Sequence, residues 1–242
     1  MLNCFSTRIS RLKPGRRTTS LPKARCGARM AITCTATSRP TSFAVLTVPA
    51  DDPYFYGAAA ARYPIDLFFP IKLVPMGPND IVVDRKGTVF FSDPPYGLKD
   101  QQLRPDLRQE EAAFYCWRDG ELTAFCKEYR FPNGLCLSPN EQLLYVCSSK
   151  PFERRLLAYD AATLELQRVV AEENCDGIKC DSSGRLWLCT REGIIILNED
   201  GQRLARIVLE KEPANCCWGG PDRNHLFVTA REHVYCLSGL FR

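Results

Sequence analysis

One short pattern recurs four times along the chain and constrains its fold more than any other feature. Each copy begins with an Asn or Asp, continues as a short apolar strand, turns, and returns as a second apolar strand. The residues that begin the four copies are Asn79, Asn133, Asp176 and Asn215. They are 54, 43 and 39 residues apart. Recurrence at roughly 40–50 residues, with several strands per repeat, is typical of a β-propeller in which each repeat forms one blade.

Outer strands follow the first two strands of each repeat. In the first repeat we expect them at about 113–118 and 121–126, joined by a type I′ turn at Asp119-Gly120. The equivalent strands of later repeats are predicted at about 156–160, 165–170, 193–198, 204–209 and 234–237. Helical periodicity is not sustained anywhere, so the predicted class is all-β. About four blades are recognisable, and the fourth stops after its third strand.

The residues that begin the repeats are candidates for a binding site. In a propeller the innermost strand of each blade lines the central channel, so these four residues are expected at one mouth of that channel. Amide and carboxylate oxygens around a common centre suit Ca²⁺, Mg²⁺ or Mn²⁺, and sometimes Zn²⁺. The alternative is that each Asn or Asp only caps the start of its strand through an Asx turn.

The positive charge of the chain is concentrated at its start. Residues 1–50 contain nine Lys or Arg and no Asp or Glu, so the other residues carry −5 of the total formal charge of +4. No nucleic-acid partner is inferred from this basic stretch. Residues 1–42 are predicted to be a disordered basic leader or a transit-like segment, with a wrongly assigned gene start as the alternative. We expect a cytoplasmic protein, or an organellar one if the leader is a transit peptide, with no membrane span.

Residues 43–74 are interpreted as an irregular joint, and residues 75–242 as the propeller domain. The joint contains two apolar runs, but prolines interrupt them. Because the fourth repeat lacks a strand, a closed ring would have to borrow one, and we expect residues 43–74 to be its only source. The propeller is therefore predicted to be open or irregularly closed, with an edge strand that favours association.

Thirteen cysteines raise the question of a disulfide framework. Eight of them fall within predicted strands, where a free thiol packs as a small apolar group. These eight are Cys116, Cys126, Cys136, Cys147, Cys180, Cys189, Cys217 and Cys236. The count is odd, no CxxC pair is present, and no Asn-X-Ser/Thr site occurs. These features favour a reducing intracellular compartment.

The repeats resemble the gluconolactonase and regucalcin (senescence marker protein) family. The resemblance rests on Pro-Asn-Asp-Ile-Val-Val-Asp and Phe-Ser-Asp-Pro-Pro-Tyr-Gly-Leu within 78–98, on Phe-Pro-Asn-Gly-Leu at 131–135, and on Asp-Gly-Ile-Lys-Cys-Asp at 176–181. Residues 214–231 are similar too. The resemblance implies a six-bladed propeller with one divalent metal, Ca²⁺, Zn²⁺, Mg²⁺ or Mn²⁺, at the top of its channel. It also implies hydrolysis of a small-molecule sugar lactone or a related ester.

The resemblance assigns roles to the residues that begin the repeats. Asn133 and Asp176 match metal ligands of the family, and Asn79 matches a residue that binds the metal, its water or the substrate. Asp176 is the predicted catalytic residue, because it would hold the metal and could take a proton from the attacking water. Asn215 occupies the same place in the fourth repeat and is predicted to bind substrate.

Three departures from the family pattern bear on function. The family has a ligand Glu in its first blade, well upstream of the position of Asn79, but the first Glu of this chain is Glu110. Gly77 stands where regucalcin-like sequences have an Arg, which places recognition of sugar-type substrates in doubt. Only four repeats are visible, whereas six would need on the order of 240–300 residues. The sequence therefore predicts a weakened lactone hydrolase, or alternatively a non-catalytic propeller fragment that serves as an interaction scaffold.

Overall fold

The computed structural model describes residues 78–97, 112–220 and 223–240, together with the backbone of three short strands. These strands are β1 (Arg8–Arg11), β2 (Ala31–Thr33) and β3 (Val45–Thr47). The predicted disorder of 1–42 and the predicted joint at 43–74 otherwise fall outside the described residues. Within the described part, no helix has the length and apolar character needed to cross a bilayer.

Four antiparallel sheets of four strands each make up the propeller, and we call them blades 1 to 4. Blade 1 contains β4 (Ile81–Val83), β5 (Val89–Asp93), β6 (Ala113–Arg118) and β7 (Glu121–Cys126). Blade 2 contains β8 (Pro132–Leu137), β9 (Leu143–Ser148), β10 (Leu156–Asp160) and β11 (Leu166–Ala171). Blade 3 contains β12 (Ile178–Cys180), β13 (Leu186–Thr190), β14 (Gly193–Leu197) and β15 (Arg203–Ile207). Blade 4 contains β16 (Asn215–Gly219), β17 (His225–Ala230), β18 (His233–Ser238) and β1. The predicted all-β class and propeller arrangement are confirmed.

Local turn chemistry explains the hairpins of these blades. Between β6 and β7, Arg118 pairs with Glu121, and the two residues between them both have positive φ, 50° for Asp119 and 87° for Gly120. A type I′ turn requires positive φ at both central positions, and Asp-Gly is a sequence that adopts it readily. The predicted turn is therefore confirmed, and it fixes the register of the outer hairpin of blade 1.

The fourth strand of blade 4 comes from the start of the chain. Strand β1 pairs antiparallel with β18, in a register from Arg8 opposite Ser238 to Arg11 opposite Tyr235. The prediction that only 43–74 could supply this strand is wrong, because β1 at Arg8–Arg11 supplies it. Strand β3, which lies within 43–74, pairs with β2 in a separate sheet. An edge strand needs backbone N–H and C=O groups more than an apolar face, so a basic segment can fill this place.

Three apolar clusters lie between successive blades and hold them together. Each contains fully buried leucines, for example Leu157 between blades 1 and 2, Leu188 between blades 2 and 3, and Leu226 between blades 3 and 4. Burial of a side chain of this size contributes about 1.5–3 kcal/mol. The prediction that strand cysteines pack as apolar groups is confirmed for four buried thiols of the predicted eight, Cys116, Cys126, Cys136 and Cys189. Cys180, Cys217 and Cys236 are only partly buried, and Cys216, outside the predicted eight, is buried.

One cysteine prediction is wrong. Cys147, near the end of β9 in blade 2, forms a disulfide with Cys175, which precedes β12 in blade 3. Their Cα atoms are 6.4 Å apart and 28 residues separate them in sequence. No short cysteine spacing indicates this pair, because it depends on how two neighbouring blades pack. The bond ties blade 2 to the residue that immediately precedes Asp176.

Candidate functional site

Strand direction places the residues that begin the repeats at one end of the blades. In each blade the first two strands are antiparallel, so the start of the first lies beside the end of the second. Pro132 at the start of β8 is opposite Ser148 at the end of β9, and Asn215 is opposite Thr229 in the same way. We call this end of the propeller the site face. Loops that leave β5, β9 and β13 also open onto it.

Three of the four predicted site residues form a chain of hydrogen bonds on this face. The side-chain amide of Asn79 donates a 2.6 Å hydrogen bond to the side-chain oxygen of Asn133. The side-chain amide of Asn133 in turn donates to the carboxylate of Asp176. Asn133 is buried, and the other two are partly buried. The structure therefore brings these residues of blades 1, 2 and 3 into one cluster, which we call the Asn-Asn-Asp cluster.

The Asp176 carboxylate has no ion pair among the described residues. Part of the residue is exposed, but its carboxylate group is enclosed by protein. This burial raises the pKa of the carboxyl from 3.8 to about 6, although the hydrogen bond from Asn133 lowers it. The negative charges of Asp80 and Glu212 also raise this pKa, and the positive charge of Arg231 lowers it. Among the described residues, no Lys or Arg nitrogen comes within ion-pair distance of the carboxylate. A buried carboxylate without a cation is stabilised by either a proton or a positive ligand.

Glycines next to the site residues let the inner strands approach closely. A Cβ atom on residue 134 would lie 2.4 Å from the backbone oxygen of Asp176. A Cβ atom on residue 177 would lie 2.3 Å from the side-chain oxygen of Asn215. Real Cβ contacts are not this short, so only glycine fits at either position. The Asn133-Gly134 and Asp176-Gly177 pairs in the sequence thus reflect the packing of each inner strand on the next.

Asn215 does not join the Asn-Asn-Asp cluster. Its side-chain oxygen accepts hydrogen bonds from the backbone N–H of Cys216 at 2.9 Å and from the ammonium of Lys179 at 3.2 Å. Its side chain also hydrogen-bonds the carboxylate of Asp80. The oxygen that a substrate could use is therefore already engaged in contacts within the protein. The predicted role of Asn215 in substrate binding stays a prediction.

Asp80 and Lys179 form an ion pair in the channel that sequence reasoning missed. The ammonium nitrogen of Lys179 lies 3.8 Å from a carboxylate oxygen of Asp80, and it donates a 2.9 Å hydrogen bond to the backbone oxygen of Ile178. Burial lowers the pKa of Lys179, but Asp80 and nearby cysteines together outweigh that effect, so its pKa is raised and it stays protonated. A charged residue inside an apolar inner strand was the signal in the sequence that could have revealed this pair.

An aromatic and polar wall borders the cluster and was also missed. The hydroxyl groups of Tyr96 and Ser149 share a 2.5 Å hydrogen bond, and the side chain of Asn133 is a further partner of the Tyr96 hydroxyl. The Tyr96 ring stacks on Phe131 with 5.7 Å between centroids. Tyr96 and Ser149 each follow the second strand of a repeat, so the strand-direction argument applied to the sequence could have found both.

Two cavities in the described part of the chain bear on the position of the site. One of about 150 Å³ is lined by ten residues that include Ser149, Lys150 and Asp176. A larger one of about 400 Å³ lies elsewhere, among Glu128, Tyr129 and residues 151–155, and none of the candidate residues lines it. We place the site at the smaller cavity, because Asp176 is one of its lining residues.

The Asn-Asn-Asp cluster fits a hard divalent cation, though with few charges. It offers two amide oxygens and one carboxylate, which are oxygen donors of the kind that Ca²⁺ and Mg²⁺ prefer. The unpaired, buried carboxylate of Asp176 is the observation that favours a cation there. Across the described residues, no group of three or more His, Cys, Asp or Glu side chains could hold a metal. Any cation would therefore depend on the two asparagines.

Comparisons with known proteins agree with this architecture. The sequence profile of the SMP-30/Gluconolactonase/LRE-like region matches residues 8–232. Gluconolactonase of Zymomonas mobilis is 31% identical over 175 residues, covering 65% of this chain and 49% of that protein. Regucalcin of Xenopus laevis is 27% identical over 165 residues, covering 63% and 54%. A solved gluconolactonase structure from Xanthomonas campestris has a TM-score of 0.59 and 29% identity, covering 68% of this chain and 57% of that one. The chain spans about half the length of the curated relatives it matches.

Proposed function

Because the chain belongs to the SMP-30/gluconolactonase/LRE-like family, we propose that it hydrolyses sugar lactones or related esters with the help of one divalent cation. The observation that supports this most is the buried Asp176 carboxylate, which the Asn79 and Asn133 side chains join at the site face. Its relatives include a gluconolactonase and a lactonohydrolase of Aspergillus oryzae. A small-molecule lactone is accordingly the proposed substrate.

The proposed cation, Ca²⁺ or Zn²⁺ with Mg²⁺ and Mn²⁺ as alternatives, would be held by Asp176, Asn133 and Asn79. When bound, it supplies Lewis-acid polarisation of the substrate carbonyl. The side chain of Asn79, fixed by its hydrogen bond to Asn133, would orient the lactone or the attacking water. We keep Asn215 as a proposed substrate contact at the channel edge of the site.

Asp176 carries the proton in this proposal. Water attacks the lactone carbonyl carbon, the ring C–O bond breaks, and the product is an open-chain hydroxy acid. Asp176 accepts the proton from the attacking water and returns it to the departing ring oxygen. Burial raises the pKa of the metal-free Asp176 carboxyl to about 6, and a bound cation would lower it, so this carboxyl would be ionised in the loaded site and able to accept a proton.

We propose that the cation is bound weakly. Affinity for a hard cation rises with the number of charged ligands, and the Asn-Asn-Asp cluster has only one carboxylate. Low occupancy and a poorly fixed water would both reduce the rate.

We propose that the protein is located in the cytoplasm, with an organelle as the alternative. Fractionation of cells that express the full chain tests this location.

A titration assay of acid release tests the proposed activity. Gluconolactone hydrolysis is followed by alkali uptake across a series of Ca²⁺, Zn²⁺, Mg²⁺ and Mn²⁺ concentrations, beside calorimetric titration of each metal. We expect slow hydrolysis that millimolar metal enhances, and loss of activity in Asp176→Asn. Asp84→Asn is the matched control, since Asp84 lies at the hairpin turn of blade 1, away from the site face. Absence of hydrolysis of lactones and aryl esters with every metal would favour the non-catalytic propeller instead.

A further inference from the structure

Lys150 holds a fixed positive charge beside the candidate site. Its ammonium nitrogen lies 4.6 Å from the centroid of the Phe131 ring and 5.4 Å from that of the Tyr96 ring. Aromatic faces attract cations, so the two stacked rings restrict where the end of this long side chain can go. The backbone also restrains it, since the N–H of Lys150 donates to the hydroxyl of Ser148. The two rings are therefore the contacts that position the Lys150 ammonium.

The charge of Lys150 has no partner of opposite sign among the described residues. Arg130, whose guanidinium lies 5.5 Å from the Phe131 ring on the same wall, is likewise without an ion pair in that part of the chain. Other basic residues nearby are neutralised by glutamates: Arg154 by Glu173, Arg155 by Glu128 and Arg191 by Glu212. Glu153, whose carboxylate accepts hydrogen bonds from the backbone N–H groups of Arg130 and Phe131, offsets part of this charge. The Lys150 ammonium has no ion pair among the described residues, and such a charge attracts anions.

Lys150 and Asp176 line the same cavity. Lys150, Ser149 and Asp176 all line it. Tyr96 links the two groups, because its ring contacts Lys150 while its hydroxyl bonds Ser149 and Asn133. The remaining acid of the cavity, Glu212, forms ion pairs with Arg191 and Arg231, so it does not cancel the charge of Lys150. The cavity is thus lined by Asp176, which the Asn133 side chain hydrogen-bonds, and by Lys150, whose ammonium has no ion pair among the described residues.

We propose that this site selects lactones that carry an anionic substituent, a phosphate or a carboxylate, away from the reacting carbonyl. The inference rests on the proposed lactone hydrolysis and names its substrate class. Lys150 binds the anion through a charge-assisted hydrogen bond, with Arg130 adding attraction from the rim. The lactone carbonyl then lies toward the Asn-Asn-Asp cluster. Tyr96 and Phe131 act as positioning residues, because they hold the ammonium in place.

Matched substrates test the selection. We compare kcat/KM for gluconolactone and for phosphogluconolactone, which differ by one phosphate. The wild-type protein should have a higher kcat/KM for phosphogluconolactone than for gluconolactone. Lys150→Met should lower kcat/KM for phosphogluconolactone by about tenfold, as expected for a lost hydrogen bond to a charged group. Gluconolactone should be nearly unaffected, and Lys150→Arg should restore the preference. Lys86→Met, the same change at the hairpin turn of blade 1, is the control. Equal use of both lactones by the wild type, or an equal loss on both in Lys150→Met, would overturn the proposal.

A binding measurement separates this inference from the proposed activity. Sorbitol phosphate and sorbitol, which cannot be hydrolysed as lactones, are titrated calorimetrically into the wild-type and Lys150→Met proteins. We expect the phosphate to bind the wild type, more weakly as salt screens the charges, and to lose affinity in Lys150→Met. Glucarate provides the carboxylate arm. Failure of both anions to bind would overturn the inference even if gluconolactone is hydrolysed. Lys150-dependent binding without hydrolysis of any lactone would sustain the anion site and refute the activity.

Discussion

The side-chain amide of Asn79 donates a 2.6 Å hydrogen bond to the side-chain oxygen of Asn133, joining blade 1 to blade 2 at the site face. The bond engages the Asn133 oxygen that a cation would use. A cation at this cluster must therefore compete with the Asn79 amide, or reorient it so that both side-chain oxygens face inward. This competition adds to the low ligand charge and makes weak binding the expected state of the site.

Replacing Asn79 with Asp should strengthen cation binding. The substitution raises the formal charge of the cluster from −1 to −2 and removes the amide that occupies the Asn133 oxygen. Ligand charge is a main determinant of Ca²⁺ affinity, so we expect a gain of at least about tenfold in the calorimetric association constant. Without metal, the new carboxylate lies near Asp176 and should lower the melting temperature. Asn140→Asp, at an exposed turn of blade 2, is the control. If the cation affinity of Asn79→Asp equals that of the wild type, the cation does not bind this cluster.

Lys179→Met should destabilise the protein strongly. It leaves the buried Asp80 carboxylate without its cation, a change that typically costs about 3–5 kcal/mol. The double variant Asp80→Asn/Lys179→Met should recover much of that loss, because no buried charge then remains unpaired. Urea unfolding of the wild type, both single variants and the double variant gives the coupling energy. Additive effects would mean that the two charges do not interact across the channel.

Sequence reasoning succeeded where the repeat itself carries the information. The Asp119-Gly120 turn, the strand order and the cluster of Asn79, Asn133 and Asp176 all follow from a pattern that recurs in register. It failed where distant segments meet. Strand β1 joins blade 4 through backbone pairing, which leaves no apolar signature, and the disulfide of Cys147 depends on the packing of two blades. The same holds for the proposed role of Lys150, which rests on the rings around it and not on its neighbours in sequence.

Reduction of the Cys147–Cys175 disulfide should lower stability and loosen the site together. Closing a loop of 28 residues stabilises a fold by roughly 3–4 kcal/mol in the chain-entropy account. Because Cys175 immediately precedes Asp176, reduction should also weaken calorimetric cation binding. We expect a strong phosphine reductant to lower the melting temperature of the wild type but not of a Cys147→Ala/Cys175→Ala variant. Cys136→Ala, which removes a free buried thiol, should keep the reductant sensitivity. Equal melting of reduced and oxidised wild type would refute this.

Asp176→Asn should stabilise the metal-free protein while it abolishes activity. Burial raises the pKa of Asp176 from 3.8 to about 6, so ionising this group is harder in the folded state than in the unfolded one. A group whose pKa is higher in the folded state contributes its full stability below the pKa of the unfolded state. That stability is lost as the pH rises through the pKa of the folded state. The free energy of unfolding of the wild type should therefore fall by on the order of 2 kcal/mol between about pH 4 and 7 because of this group. The Asp176→Asn variant has no such ionisation and should keep this stability.

Thermal melts of both proteins across that pH range, with a chelator present, measure the effect. The difference in melting temperature should favour Asp176→Asn at neutral pH and shrink as the pH falls toward the unfolded pKa, since the wild-type carboxyl is then protonated in both states. Saturating Ca²⁺ should reverse the order, because only the wild type gains from binding it. The acceptor for the Asn133 amide is retained in the variant, so the comparison isolates the charge. A metal-free variant that is less stable than the wild type at neutral pH would show that the carboxylate is satisfied within the fold, and the case for a cation at Asp176 would lose its main support.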